Sequence, residues 1–519
     1  MIRYLSFLLF ILFLTYSCSS VNKHNKQMNN EISVKEMKKD IDYVHKKLNK
    51  YHPKLDLYQS KEETEYKIYS LKRSIQKPLK PNEFFVKLFP LFSSLKHGHT
   101  DLYPIYRRFN KKDFKKYKNS KSVFYNYSFF YQNDSIYLIK DYAKVNPING
   151  GSKLLYIDNV PVDEIIKKYK SSIYGDGYNK TFSDNYFNRT FLNFITLEQG
   201  LKDSVELSFL MGKNIIRKKT YREFPKKKTI KIQEDSIKKL TPKSIQREIR
   251  IKQKKYGYNK LTKTYSKELS FPTNDSTIAV LKVKDFHKGK IKKLYKEVFT
   301  DIKNHHVKNL ILDIRNNGGG YIKDAHYLYS YLVEDSKVFT GQKIVANKTS
   351  FGKSMYNLLP FPTYPFLWIG GGYSYLKTTK NKDNEYQLNL SFSSTKIDQN
   401  LVYHGNLYVI INGGSYSAST LLATNLYIKK RGYFVGEETG GDYNGTVAGL
   451  MPHFTLPNSK LTMSIGTVFI PPIEQRIEKG HGVYPNKEIK ENLHTKIQHK
   501  DPELEWIIKK IKTNKKRDD

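Results

Sequence analysis

The chain has 519 residues, which is too long for one ordinary hydrophobic core, so we expect two or three domains. Hydrophobic residues make up 39% and aromatic residues 14%, which excludes a generally disordered chain. A formal charge of +41 is typical of nucleic-acid binders, but the lysines are spread along the whole chain and no zinc-finger, RRM or KH pattern occurs. We therefore expect a lysine-rich solvated surface and no specific nucleic-acid partner.

The first twenty residues have the pattern of an export signal. Arg3 precedes an apolar run, residues 5–14, that is too short to span a bilayer in the mature protein. Cys18 follows this run, and as the single cysteine it cannot form an internal disulfide framework. Its position resembles a bacterial lipoprotein signal, which predicts removal of residues 1–17, lipidation of Cys18 and a polar tether over 18–32. The alternative is a plain secretory signal with an incidental cysteine.

Three helices are predicted in an N-terminal helical domain, residues 33–105. In SVKEMKKDIDYVHKKLNKYHP the apolar positions step by three and four, Ser33 and Glu36 form a capping box, and Pro53 ends the helix. A similar start signal predicts a second helix over 60–75. The stretch PNEFFVKLFPLFSSL predicts a third.

Two histidines, His97 and His99, follow the third helix in the stretch KHGHTDL. On a strand, residues i and i+2 face the same side, so the pair has the geometry of half a metal site. The alternative is one functional histidine beside an ordinary neighbour. No His-x-x-Glu-His pattern, cysteine cluster or acidic cluster completes a metal set, so we expect no metal.

Short β-like runs follow over residues 106–218. The piece NPINGGSKLLYIDNVPVDEIIKKY resembles a PDZ domain, with Asp158 and Asn159 in the turn before a helix. A PDZ domain binds an extended peptide as an additional strand of its sheet. An ordinary β-hairpin followed by a helix is the alternative. Residues 219–275 are very rich in lysine and predict a basic linker or an exposed insertion.

Strands and helices alternate over residues 276–495, which predicts βαβ units around a mostly parallel sheet. The strands are IAVLKVKDF, VKNLILDIRNNGGG, LYVIINGG and YFVGEETGG, and the helices are IKKLYKEVFTDIKNH, YLYSYLVEDSK and SASTLLATNLYIKKRG. Functional residues in such folds lie in loops after the carboxyl ends of strands. A helix and a basic tail are expected over 496–519, and the aromatic stretch 361–375 is interpreted as a lid or insertion.

Two glycine-rich strand ends are candidates for chemistry. In NGGSYSAST, Ser417 lies at the first turn of a helix, where unpaired backbone N–H groups can stabilise an oxyanion. Serine is also a favoured N-cap, and the G-x-S-x-G elbow is absent. In LILDIRNNGGG, the residues 318–320 let the backbone approach a ligand closely, but no nucleotide-binding fingerprint follows.

Six motifs in a fixed order resemble one family of proteins. They are KHGHTDL, LYIDNVPVDEI, LILDIRNNGGG, NGGSYSAST, VGEETGG and IEKGHGVYPN. Together they resemble the C-terminal processing peptidases and the tricorn-core peptidases, a clan of serine peptidases, over about Ser33 to Lys490. The resemblance implies an α/β multidomain fold: an N-terminal helical segment, a PDZ-like β-rich domain and an α/β peptidase core of the crotonase-like, ββα-repeat type.

The resemblance implies that Ser417 is the nucleophile. One branch of the family uses a lysine base, but here TGGDYNG has Gly440, Gly441 and Asp442 in that region, so a Ser–Lys dyad is not expected. The tricorn-like branch uses a histidine from a "DgHt" motif. This histidine corresponds to His99, with His97 in place of the usual aspartate.

The remaining site residues are also implied by the resemblance. The glutamate that supports the serine–histidine pair corresponds to Glu478 with an offset of one residue, since Lys479 occupies the strict position, and Glu474 is the alternative. The oxyanion donors correspond to the backbone N–H groups of Gly319 and Ala418. Two further residues are expected to shape the pocket, Asn412 and Glu438.

Together these expectations describe a bacterial cell-envelope serine endopeptidase, anchored to the membrane by lipid, that acts on peptide or unfolded protein substrates without a metal or cofactor. The alternative from another class is a non-catalytic carrier, because retinoid-binding relatives keep the fold without catalysis. The irregular HGHT motif and the displaced Glu478 keep that alternative open.

Overall fold

The computed structural model describes residues 21–224, 243–260, 262–273, 276–359, 363–391 and 396–518. The predicted signal, residues 1–17, and the lipidation candidate Cys18 lie outside these ranges. Within them, no helix is long and apolar enough to span a bilayer.

Four helices and a short strand open the described chain: α1 (Val21–Gln27), α2 (Val34–Tyr51), α3 (Lys61–Ser74), α4 (Pro81–Leu95) and β1 (Asp101–Tyr103). The three predicted helices are confirmed, and Ser33 and Glu36 form the predicted capping box at the start of α2. The structure describes residues 21–32 of the predicted tether, which stays a prediction. There α1 forms, and His24 Nε2 lies 3.0 Å from the carbonyl oxygen of Tyr106.

The middle of the chain forms an antiparallel sheet with the strand order β2-β3-β4-β6-β7, and β5 pairs with β4. Its segment contains α5 (Lys111–Tyr117), β2 (Tyr127–Gln132), β3 (Ser135–Asp141), β4 (Lys153–Ile157), β5 (Val160–Pro161), α6 (Val162–Tyr169), α7 (Thr181–Gln199), β6 (Ser204–Met211) and β7 (Asn214–Tyr221). Asp158 and Asn159 have φ values of 47° and 65°, as a tight turn between β4 and β5 requires. The predicted strands are confirmed, while a PDZ-like mode of peptide binding stays a prediction.

The lysine-rich segment 219–275, predicted as a basic linker or an exposed insertion, has regular secondary structure in its described part. It contains α8 (Lys243–Tyr256), β8 (Tyr258–Asn259), β9 (Thr264–Tyr265) and β10 (Lys267–Ser270). Helix α8 is largely exposed, whereas β10 pairs antiparallel with the strand that follows it. The residues 225–242 lie outside the described chain.

The largest hydrophobic cluster surrounds a six-stranded sheet with the order β10-β11-β12-β16-β17-β22. This part of the chain contains β11 (Ile278–Val283), α9 (Ile291–Asn304), β12 (Asn309–Asp313), α10 (Ile322–Ser330), β13 (Ile344–Val345), α11 (Ser350–Met355), α12 (Tyr364–Leu376), β14 (Thr378–Lys380), β15 (Tyr386–Leu388), β16 (Asn406–Ile411), α13 (Ala418–Ile428), β17 (Tyr433–Gly436), β18 (Thr446–Ala448), β19 (His453–Thr455), β20 (Thr462–Ser464), β21 (Val468–Ile470), β22 (Lys487–Glu488), α14 (Leu493–Ile497) and α15 (Pro502–Asp518). Strands β11 to β22 of this sheet are parallel and β10 is antiparallel, which confirms the predicted sheet.

Two details of this region differ from the expectation or refine it. The predicted helix YLYSYLVEDSK is wrong after Ser330, because α10 ends there and the N–H of Leu332 turns back to the carbonyl of Tyr329. The aromatic stretch contains α12, which exposes large side chains such as Phe366 and Trp368. The C-terminal helix is confirmed as α15.

The N-terminal helices share a hydrophobic core with a hairpin from the far end of the chain. Strand β1 pairs antiparallel with β20, which in turn pairs with β19. Buried side chains of this hairpin, Phe454, Leu461 and Met463, pack in one cluster with residues of α2 and α4. Since His99 lies two residues before β1, this junction fixes the HGHT loop relative to the large sheet.

Candidate active site

Ser417 lies in the turn between β16 and α13, directly before the first residue of the helix. Its backbone has φ 59° and ψ −122°, a conformation that is strained for a residue with a side chain and is concentrated at functional sites. The turn is held from both sides. The Ser415 hydroxyl donates to the carbonyl of Ile314 over 2.8 Å, and the N–H of Tyr416 donates to the carbonyl of Asn317 over 3.0 Å.

His99 reaches this serine from the N-terminal region. Its Nε2 lies 3.0 Å from Ser417 Oγ, a hydrogen-bond distance between residues 318 positions apart in the chain. The ring lies 5.0 Å from the ring of Tyr416, measured between centroids. Burial lowers the pKa of His99 to about 4, so the imidazole is neutral at pH 7 and Nε2 can accept a proton.

The two histidines of HGHT have different neighbours. His97 is buried, and its ring lies 4.2 Å from that of His52 and 4.9 Å from that of Tyr58, measured between centroids. Burial lowers the pKa of His97 to about 3. Within the described ranges, no three His, Cys, Asp or Glu side chains are grouped so that they could hold a metal ion.

The glycine loop after β12 packs against the serine turn. A Cβ added to Gly319 would lie 2.7 Å from Ser417 Cβ and 2.9 Å from the backbone nitrogen of Ala418. The loop therefore approaches Ser417 as closely as only a glycine allows. The N–H of Gly319 donates to Asn317 Oδ1 over 2.9 Å, so this expected oxyanion donor has an internal partner. Ala418 is the first residue of α13, where the helix itself cannot pair its N–H.

The structure does not support a direct contact between Glu478 and His99. The Glu478 side chain is exposed, and its carboxylate lies 2.9 Å from Arg476 Nη2 and accepts the hydroxyl of Tyr484 over 3.2 Å. The amide of Asn444 donates to the Glu478 carbonyl over 2.7 Å, which fixes the loop in this orientation. The alternative, Glu474, is also exposed.

Comparison with known proteins supplies the family. Residues 277–489 match the model of peptidase family S41. The chain carries an S41 serine-peptidase domain. No curated protein matches the chain in sequence. The family match and the enzyme class it indicates favour a serine-type peptidase over the carrier alternative.

Solved structures of mature CPAF share the fold over nearly the whole chain. Mature CPAF is 13% identical, with 89% of this chain and 94% of CPAF covered and a TM-score of 0.53. Mature CPAF complexed with lactacystin is 12% identical, with 90% and 95% covered and a TM-score of 0.54. The photosystem II D1 C-terminal processing protease is 14% identical, with 87% and 92% covered and a TM-score of 0.38. At the identities found for CPAF, the likeness shows the fold alone.

Asp442 occupies the region in which one branch of the S41 peptidases has its lysine base. Its Oδ2 accepts the hydroxyl of Tyr58 over 2.8 Å and the N–H of Gly480 over 2.9 Å. Its Oδ1 accepts the N–H of Asn444 over 2.9 Å. The carboxylate therefore holds loops together in this peptidase.

The two residues expected to shape the pocket also connect loops. Asn412 Oδ1 accepts the N–H of Asn316 over 2.9 Å, which ties the glycine loop to the end of β16. Glu438 accepts the N–H of Gly482 over 2.7 Å and lies 3.2 Å from His481 Nδ1. Both contacts are consistent with a positioning role.

Asp176 is a residue of this site that sequence reasoning missed. It is buried, and its Oδ1 accepts the N–H of Gly98, the residue before His99, over 3.0 Å. Burial raises the pKa of Asp176 to about 7. Asp176 stands between two glycines in IYGDGYN, which indicates a turn, but nothing in that pattern points to a histidine 77 positions away.

Proposed function

We propose that the chain is a cell-envelope serine endopeptidase in which Ser417 is the nucleophile and His99 is the general base. The observation that carries this proposal is the 3.0 Å contact between His99 Nε2 and Ser417 Oγ beside the glycine loop. The S41 domain match supports the enzyme class independently. The strained backbone of Ser417 supports a functional role for this serine. Its side chain makes no cap hydrogen bond, which argues against a role as a helix cap.

The proposed reaction follows from the protonation state of His99. Neutral Nε2 takes the proton of Ser417 Oγ as the oxygen attacks the scissile carbonyl carbon, and the imidazolium then gives this proton to the leaving amine. In the second half water attacks the acyl carbon while His99 accepts its proton. The bond from the acyl carbon to Ser417 Oγ then breaks, His99 returns the proton to Oγ, and the product leaves as a carboxylic acid. The pKa lowered by burial keeps His99 neutral and ready to accept at pH 7.

Oxyanion stabilisation is assigned first to the N–H of Ala418. This group is at the amino end of α13, where the helix dipole favours negative charge. The N–H of Gly319 is adjacent, but it has to share or release its bond to Asn317 before it can donate to the substrate oxygen. Glu478 is replaced in the proposal by a backbone support, in which Asp176 holds Gly98 and thereby the loop that carries His99.

The nucleophile is tested by Ser417→Ala in the purified full chain. Hydrolysis of a fluorogenic peptide mixture should fall by several orders of magnitude, because the attacking oxygen is removed. Ser419→Ala is the matched control: its hydroxyl is buried and lacks a hydrogen-bond partner among the described residues, so activity should change little. His99→Ala should resemble Ser417→Ala, whereas His97→Gln should retain most activity. Full activity in Ser417→Ala would refute the assignment.

The envelope location rests on the N-terminal pattern. An apolar run followed by Cys18 is typical of a lipidated exported protein, and the positive charge of the chain favours an anionic lipid surface. In bacterial expression, the wild-type chain should sediment with membranes, and Cys18→Ser should move to the soluble exported fraction. Equal distribution of the two proteins would contradict lipidation of this cysteine.

A further inference from the structure

A cavity of about 210 Å³ lies beside the HGHT loop. We call it the tyrosine pocket; it is defined by Asp101, Tyr103, Tyr106, Tyr174 and Tyr186. Tyr106 and Tyr186 are exposed, while Tyr103 and Tyr174 are more deeply placed. The pocket therefore combines one carboxylate with four tyrosine rings and four phenylalanine rings, Phe85, Phe89, Phe182 and Phe194, and is open to solvent.

Two residues that line the tyrosine pocket, Gly98 and Phe182, lie close to the proposed catalytic residues. Gly98, which lines the pocket, directly precedes His99, and a Cβ on it would lie 2.4 Å from the hydroxyl oxygen of Tyr416. Phe182 also lines the pocket, and its ring lies 4.7 Å from that of Tyr416, measured between centroids. Since Tyr416 directly precedes Ser417, these contacts place the cavity beside the proposed catalytic pair.

The carboxylate of Asp101 has no cationic partner in the described chain. Its Oδ1 accepts the N–H of the adjacent Leu102 over 2.8 Å. Burial raises its pKa to about 6, and this backbone bond opposes the shift, with no contribution from a Lys, Arg or His side chain. Arg189 lies beside Tyr186 but forms no ion pair with Asp101.

The charge of Asp101 acts on all four tyrosine hydroxyls. After burial, the charge of Asp101 is the next largest cause of the raised pKa of Tyr103, Tyr106, Tyr174 and Tyr186. Tyrosine rings near a carboxylate without a cationic partner attract a cation both by ring quadrupoles and by direct charge. An apolar side chain in the same place would desolvate the carboxylate without compensation.

We propose that the tyrosine pocket is the subsite for a lysine or arginine side chain that flanks the scissile bond, with Asp101 as the specificity-determining residue. The subsite rests on the proposed peptidase function, but its ligand chemistry can be tested without turnover. The overall charge of +41 disfavours the binding of cationic peptides in general. A preference for lysine therefore has to come from a local site.

Binding is measured first, with the full chain carrying Ser417→Ala. Two fluorescein-labelled alanine pentapeptides, one with a central lysine and one with a central norleucine, differ only by the ammonium group. We expect the lysine peptide to bind about tenfold more tightly by fluorescence anisotropy. Adding Asp101→Asn, which keeps an oxygen acceptor for Leu102, should bring the ratio to about one. Adding Asp113→Asn, outside the pocket, should leave it unchanged. Equal affinities before Asp101 is changed, or a ratio that survives Asp101→Asn, would overturn the proposal.

Cleavage is measured second, with chains that have Ser417. Peptides released from denatured casein by the wild type should show lysine or arginine enriched at one fixed position relative to the cut, and Asp101→Asn should lose this enrichment while still cutting elsewhere. Cutting without any basic preference would overturn the subsite. Absence of all cutting by the wild type would overturn the proposed function instead, and the binding ratio would still decide the subsite.

Discussion

At the scale of single residues, the chemistry depends on how burial sets the charge of one imidazole. His99 carries no proton at neutral pH because hydration of the imidazolium is lost, which lowers its pKa to about 4 from an ordinary value near 6.5. His99 can therefore accept a proton down to a lower pH than a solvated histidine can. Glu478 does not support this ring, since its carboxylate binds Arg476 and Tyr484.

The pH dependence of activity tests this assignment. Because His99 must be neutral to accept the serine proton, kcat/KM for a peptide without lysine or arginine should stay nearly constant from pH 7 to 5 and fall to half near pH 4. Such a peptide avoids the titration of Asp101, whose pKa is about 6. The titration of the His99 ring proton by NMR, assigned with His99→Gln, should give the same midpoint. A ring midpoint near 6.5 would show a solvated imidazole. The lowered pKa also means that His99 contributes stability above pH 6.5 that is lost as the pH falls towards 4, so circular dichroism must confirm folding at each pH.

At the scale of elements, the sequence already specifies the helices that bear strong end signals. The capping box of Ser33 and Glu36 and the proline after α2 are local signals, and the helix begins and ends where they predict. The end of α10 was predicted wrongly because Leu332 is buried by tertiary packing and continues the apolar pattern beyond the helix. Periodicity measures burial, and a turn can be buried as well as a helix.

Only part of the candidate site could be predicted from the sequence, because several of its contacts join loops that are distant in the chain. Ser417 and His99 could be selected because each lies in a motif whose order along the chain resembles a family. The bond from Gly98 to Asp176 and the bond from Gly319 to Asn317 depend on loop geometry that no spacing encodes. The displaced glutamate illustrates the limit, since an offset of one residue was enough to make the position of Glu478 uncertain.

The loop after β12 offers a sharp test at this scale. Gly319→Ala should lower kcat/KM about 10²–10³-fold, because a Cβ at φ +95° would meet Ser417 and the nitrogen of Ala418 and so disturb the oxyanion site. Gly318→Ala is the matched control, since a Cβ there meets nothing within 4 Å. Its activity should stay within about twofold of the wild type. Similar losses in the two variants would mean that the loop acts through general flexibility.

At the scale of the whole molecule, the two residues of the proposed catalytic pair come from distant parts of the chain. His99 comes from the N-terminal region and Ser417 from the large parallel sheet, and the pairing of β1 with β20 joins the two. The N-terminal helices are therefore part of the proposed catalytic unit, since their core includes buried residues of β19 and β20. Loss of this junction should inactivate the enzyme even where the large sheet stays folded.

Two core substitutions that leave cavities of similar size distinguish the contribution of the β1–β20 junction to activity from that of the large sheet. Leu461 is fully buried between the N-terminal helices and the β19–β20 hairpin, and Ile507 is fully buried where α15 packs on the large sheet. Each change to alanine should cost about 2–5 kcal/mol of unfolding free energy in its own region. Only Leu461→Ala loosens the junction that positions His99, so its activity should disappear on warming before the far-UV signal of the whole chain changes. In Ile507→Ala, activity and overall structure should be lost together. If the variants instead lose activity at the same point of their unfolding curves, the junction does not position the histidine independently of the sheet.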